Sequence, residues 1–208
     1  MSSVTPERAP ITYRLALGED WYQIRLNEHA EADVKAFLDV MFDGIPADAA
    51  EQTRTLIGAR FATQIAAARA KRGIELLVPS PKSQGVALPA VAVLVAEVVI
   101  PAPAVPDPTD VVARVARENI GARTGVIAGT AAVRIDHSVT VPESELDADG
   151  AAPTGKRIEY VIAVPNDSRW LSIDLSVQTM DSFDVGEVIA KFDQAAATLS
   201  WSIGNQTN

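Results

Sequence analysis

The residues GAAPTGKR (150–157) nearly spell the loop that cradles nucleotide phosphates, G-x-x-x-x-G-K-[ST]. Two requirements of that chemistry are unmet. The last place needs a hydroxyl to hold Mg²⁺ and has Arg157 instead. The loop must also open a helix whose N-terminus faces the phosphates, whereas a strand pattern follows here. The same stretch has an acidic side. Glu145, Asp147, Asp149 and Gly150 stand at places 1, 3, 5 and 6 of a calcium loop, but place 12, where a bidentate glutamate belongs, is Lys156. A solvated loop is expected, with a weak adventitious calcium contact as the alternative. Asp136, His137 and Ser138 are the residue types of a nucleophilic triad. Neighbours on a strand point to opposite faces, so they cannot meet as one. His137 falls in an apolar row and is expected to be a core histidine with a satisfied hydrogen bond.

Other chemistries are excluded by composition. The chain has no cysteine and only two histidines, His29 and His137, which removes disulfides, thiolate nucleophiles and cysteine-ligated metals. No catalytic residue, metal ligand or cofactor site is expected. Acidic residues outnumber basic ones 27 to 18, for a net charge of −9. A protein that tracks phosphates needs the opposite balance, so nucleic acid is not an expected partner. At 208 residues, one domain spanning 1–208 is expected, with flexible ends at 1–9 and 203–208. The first ten residues lack the basic start and apolar core of a secretory signal, which predicts a cytoplasmic protein. The apolar run 86–100 (VALPAVAVLVAEVVI) is fifteen residues long, short of the roughly 20 a membrane helix needs. Its valines favour a strand buried on both faces, so membrane insertion is not expected.

The elements that must position these side chains follow from periodicity. Alternation over 10–27 predicts two short strands broken at Gly18. Asn27 can cap a helix with Val34, Phe37, Leu38, Met41 and Phe42 on one face and Gly44 as its stop. Pro46 opens a second helix, running to Arg72, with the stripe Ile57, Phe61, Ile65 and Ala68. Arg69, Lys71 and Arg72 crowd its last turn, where cations complement the helix dipole. Strands are predicted at 74–78 and 86–100, and PAPAVPDP (101–108) is a stiff connector. A short helix capped by Thr109 carries Val111, Val112, Val115 and Ile120. Three strands then follow, at 131–141, 158–164 and 171–177, and a last helix has Val185, Val188, Ile189, Phe192, Ala196 and Leu199 on one face. Successive strands joined by turns pair antiparallel. The predicted class is α+β: a single antiparallel sheet of six to seven strands with helices packed on it.

If the helices cover one face, the polar sides of the last three strands form an open face. It would gather Arg134, Asp136, Ser138, Arg157, Glu159, Ser172 and Asp174. Its bland reading is a set of cross-strand ion pairs worth roughly 0.2–1 kcal/mol each. Its functional reading is a docking face for an unidentified protein partner, centred on Arg134, Asp136, Arg157, Glu159 and Asp174, with room for a homodimer. Trp21, Tyr22 and Trp170 lie near turns and are candidate aromatic anchors. The leading expectation is therefore a non-catalytic interaction module. The alternative is a carrier of a small apolar ligand, with a pocket between sheet and helices lined by Phe61, His137, Tyr160 and Phe192. A hydrolase using paired carboxylates ranks last, because nothing in the sequence positions such a pair.

A resemblance agrees with this layout. The runs VKAFLDVMFDG, GIELLVP, IEYVIAVPNDSRWLSIDLSVQT and KFDQAAATLSW resemble a family of uncharacterised actinobacterial proteins. Trp170, Leu171, Ser176, Phe192, Asp193, Thr198, Leu199 and Trp201 carry its most specific part. The element order is also similar to the PsbP-like fold, an antiparallel sheet with helices packed on it. That resemblance implies a non-enzymatic binding subunit and offers no catalytic residue to carry over. It also implies an accessory role beside type VII secretion components.

Overall fold

The computed structural model describes residues 10–84, 90–100, 107–139, 155–178 and 184–202. Seven strands form one open sheet in the order β2 (Trp21–Arg25), β3 (Gly73–Pro79), β4 (Val91–Val98), β8 (Trp170–Gln178), β7 (Gly155–Ala163), β6 (Thr130–Val139) and β5 (Arg123–Ile127). Every neighbouring pair is antiparallel. The fold is α+β, as the alternating apolar residues predict. A two-stranded ribbon of β1 (Tyr13–Arg14) and β9 (Ser200–Trp201) lies apart from the sheet.

Residues directly opposite across an antiparallel ladder share a face, so the register assigns every side chain to one side. One face carries Val93, Ile173, Tyr160 and Arg134, and it packs against Phe192 of α5 (Val185–Ala197) and Leu199 just beyond that helix. The other face is covered at both ends. Ile24, Leu76 and Val78 lie under α1 (Ala30–Met41) and α2 (Ala47–Ala70). Val133, Ile135, Val161 and Trp170 lie under α4 (Pro108–Glu118). A further short helix, α3, spans Pro81–Gln84. Helices therefore sit on both faces, which overturns the expectation of one covered and one open face. The cause lies in β6. Its apolar row, Val133 and Ile135, serves α4, while the apolar rows of β7 and β8 serve α5.

Local chemistry explains most element ends. The α2 stripe of Ile57, Phe61, Ile65 and Ala68 is buried as its spacing requires. Asp107, rather than Thr109, caps α4: its carboxylate accepts the Thr109 N–H at 2.8 Å, and Pro108 occupies the first turn. Ile120, expected on the apolar face of α4, lies beyond its end and is fully exposed. Strand β5 has no alternating pattern and was not expected; the turn at Ala128 and Gly129, both with positive φ, pairs it with β6. Gly73 is glycine for clearance, since a Cβ there would stand 2.5 Å from Leu26 and 2.8 Å from the Ala68 carbonyl oxygen. The GAAPTGKR motif lies outside the described residues except Gly155, Lys156 and Arg157, which open β7. The acidic run 145–150 lies outside them entirely.

Candidate functional site

The predicted polar face is split between the two sides of the sheet. Arg157, Glu159, Ser172 and Asp174 share the side carrying α1, α2 and α4, in the strip between those two coverings. His137 joins them there, opposite Arg157. Arg134, Asp136 and Ser138 occupy positions on the α5 side. Proximity in sequence pattern did not survive the register.

In the strip, the charges are spent on one another. Glu159 and Asp174 stand directly opposite across β7 and β8, a like-charge pair that would repel if left bare. Arg157 resolves it. Its Nε donates to both Asp174 oxygens at 2.9 Å, and a terminal nitrogen lies 3.4 Å from Glu159. The Asp174 contact leads in holding the Arg157 guanidinium above its ordinary range, so it stays charged. Ser172 Oγ donates to Glu159 Oε1 at 2.8 Å, while His137 Nε2 lies 2.9 Å from Glu159 Oε2. His137 is thus a satisfied histidine, bonded to a carboxylate rather than set in the core. Serine, histidine and a carboxylate meet here, but in the wrong order for acyl transfer. A nucleophile must give its proton to the imidazole, and Ser172 gives its hydrogen bond to the carboxylate instead. Ser172 is also only 4% exposed.

On the α5 side, Arg134 ties a helix down. Its guanidinium donates to both oxygens of Asp193 at 3.0 and 3.2 Å, and the Tyr160 hydroxyl donates to Asp193 at 2.8 Å. Asp136 is exposed and lies 3.7 Å from Lys156. Burial, followed by the bond and charge of Asp193, pushes the Tyr160 phenol up to about 12. The folded state thus holds this proton more tightly than the unfolded chain, whose tyrosine titrates near 10. The resulting stability is complete below about pH 10 and lost as pH rises towards the folded value. Tyr160→Phe should therefore lower the urea midpoint at pH 8, and its deficit relative to wild type should narrow by pH 11. A deficit that stays constant or widens would refute the assignment.

The aromatic candidates are packed. Trp170 is buried beneath α4, and Tyr22 stacks edge-on against Phe37 at 5.2 Å with its hydroxyl on the Asp33 carbonyl. Trp21 is half-buried against the α5-side core. The four residues imagined lining a pocket are also dispersed. Phe61 lies under α1 and α2, His137 in the polar strip, and Tyr160 and Phe192 touch in the α5-side core. The basic cluster ending α2 is structural: Arg69 donates to the Leu26 and Asn27 carbonyls, and Arg72 pairs with Glu97 at 2.8 Å.

A cleft of about 810 Å³ opens elsewhere, between the N-terminal segment and the β2–β3 edge of the sheet. The β1–β9 ribbon holds this segment in place. Ser202 N–H donates to the Thr12 carbonyl at 3.0 Å, and Ala16 N–H donates to Thr198 Oγ1 at 3.2 Å. Ile11, Tyr13, Leu15, Gln23, Ile74, Glu75 and Leu77 are among its lining residues. Glu75 is the unusual one, a carboxylate only 7% exposed. Its Oε1 accepts from the Tyr13 hydroxyl at 2.5 Å, and its other oxygen accepts from the Gln23 side chain. Burial, then the charge of Glu75, pushes the Tyr13 phenol far up, so Tyr13 remains the donor. This site was missed in the sequence. Its signal was the lone acidic residue inside the apolar run GIELLVP, on the same face as the two polar positions of WYQIR, Gln23 and Arg25.

Compared with protein-family models and with curated proteins, the chain matches none. Among the described residues, no helix is long and apolar enough to cross a membrane, and no group of three or more histidine and carboxylate side chains could hold a metal ion.

Proposed function

We propose that this protein is a non-catalytic binding module whose site is the cleft between the N-terminal segment and β3. The cleft carries the reading: about 810 Å³ falls within the roughly 300–1,000 Å³ typical of small-molecule sites. The polar groups that chemistry would need are meanwhile committed to internal bonds in the strip and under α5. The resemblance to the PsbP-like group, whose members bind rather than catalyse, favours the same reading. Backbone amide NMR of the full chain, titrated with the neutral probe hexan-1-ol, tests it. Saturable shifts confined to Leu15, Gln23, Ile74, Leu77 and their neighbours are expected. No saturable shift at those residues would overturn it.

A second reading, docking of another protein chain, is favoured by β5. This edge strand is exposed from Arg123 to Val126, with Val126 73% exposed and Ile120 beside it in full contact with solvent. Among the described residues β5 pairs with β6 alone, and an edge of that kind accepts an added strand. A second copy could pair antiparallel about Gly125, and a dilution series of the same labelled sample would then shift Arg123–Ile127 alone.

A further inference from the structure

We propose that the cleft takes a small primary amine with an apolar body, its ammonium seated on Glu75; the inference rests on the ligand-binding reading above. Both donors to Glu75, the Tyr13 hydroxyl and the Gln23 amide, are neutral. Among the described residues, no cationic nitrogen forms an ion pair with its carboxylate within 4.0 Å. The natural neutraliser is engaged elsewhere. Arg25 stands directly opposite Glu75 in the β2–β3 register, yet its guanidinium grips Asp33 of α1 at 2.6 and 2.9 Å. Glu75 is therefore a buried carboxylate held by neutral hydrogen bonds, with no ion-pair partner within 4.0 Å among the described residues, and burying a carboxylate without such a partner is costly.

The cleft's chemistry fits a ligand that removes this cost. A carboxylate has about four acceptor sites, and Tyr13 and Gln23 use two of them. A primary ammonium has three donors to offer. The Tyr13 hydroxyl oxygen, beside the carboxylate and in the cleft lining, offers those donors a further acceptor. Ile11, Leu15, Ile74 and Leu77 provide an apolar wall for a hydrocarbon body. Arg14 also lines the cleft, on an exposed position, and sets a limit. Its charge disfavours a second cation on the ligand, so a monoamine fits and a polyamine does not. An ammonium–carboxylate bond is roughly twice as strong as a neutral one, so the amine should outbind its alcohol analogue clearly.

Calorimetric titration of the full chain at pH 7 with hexylamine, hexan-1-ol and hexanoate separates the possibilities. Hexylamine is expected to bind at least about tenfold tighter than hexan-1-ol, and hexanoate more weakly than either. Glu75→Gln, which keeps the side-chain shape, should bring hexylamine to the level of hexan-1-ol while leaving the alcohol unchanged. Arg14→Ala should leave hexylamine binding intact or strengthen it. Equal affinity for amine and alcohol, or an unchanged amine affinity in Glu75→Gln, would overturn the amine assignment while leaving the cleft as a site. Hexanoate as the tightest ligand would shift recognition to Arg14 and also overturn it. Binding of neither amine nor alcohol would overturn both readings. Should Glu75→Gln not fold, the ranking of the three ligands on the wild-type chain decides alone.

Discussion

Asp174→Ala is expected to destabilise the fold by about 2 kcal/mol, because it takes away the closest partner of the Arg157 guanidinium and leaves it only the longer, 3.4 Å contact with Glu159. Removing one partner of a fully buried ion pair costs about 3–5 kcal/mol. The Arg157 side chain is 35% exposed, so water recovers part of that loss and a figure below that range applies. The double replacement Arg157→Met with Asp174→Leu should recover most of it, since two apolar side chains of similar volume need no partners. Glu159 would keep the Ser172 hydroxyl and His137 as its own partners in that variant. Urea unfolding of the wild type, Arg157→Met, Asp174→Leu and the double variant gives the coupling directly, with Asp174→Ala read beside them. A single-mutant loss below about 0.5 kcal/mol would mean that water already solvates the pair, and the strip would again be a free, charged surface open to docking.

That prediction depends on a register the sequence could not supply. The alternation within β7 and β8 was legible, and Leu171, Ile173, Leu175 and Val177 are buried where period two puts them. What alternation cannot say is which side of a sheet a given row faces. For β6 the natural assumption was that its apolar row joined those of β7 and β8. The pairing of Arg134 with Tyr160 and of His137 with Arg157 places it on the opposite side. One residue of register carries a whole row across the sheet, so a polar face of seven residues became two separate networks. The helix stripes were more legible, because Ile57, Phe61 and Ile65 need only their own helix to define a face. The cleft was hidden for a third reason. It is made by contacts across almost the whole chain, Tyr13 with Trp201 and with Glu75, and no local pattern encodes such a meeting.

Strand β2 borders both the packing around Phe37 and the proposed site, on opposite faces. Tyr22 and Gln23 are neighbours on β2: one packs under α1, and the other reaches Glu75 in the cleft. Phe37 is the centre of the packed side. It is wholly buried and meets the Tyr22 and Phe61 rings edge-on, each at 5.2 Å, so it joins β2, α1 and α2 at one point. Phe37→Ala should therefore cost about 3–5 kcal/mol from lost burial and the cavity left behind, and the two edge-to-face contacts place it towards the upper end. For a chain of this size that lowers the melting temperature by roughly 8–15 °C. Phe37→Leu keeps most of the volume and should cost less than half as much. Because Phe37 touches the face of β2 opposite the cleft, the leucine variant should hold hexylamine with wild-type affinity at 25 °C, read by the same calorimetry. A leucine variant that stays folded yet loses the amine would show that packing beneath β2 sets the cleft's shape. The two faces would then be one coupled unit rather than a core and a site that share a strand.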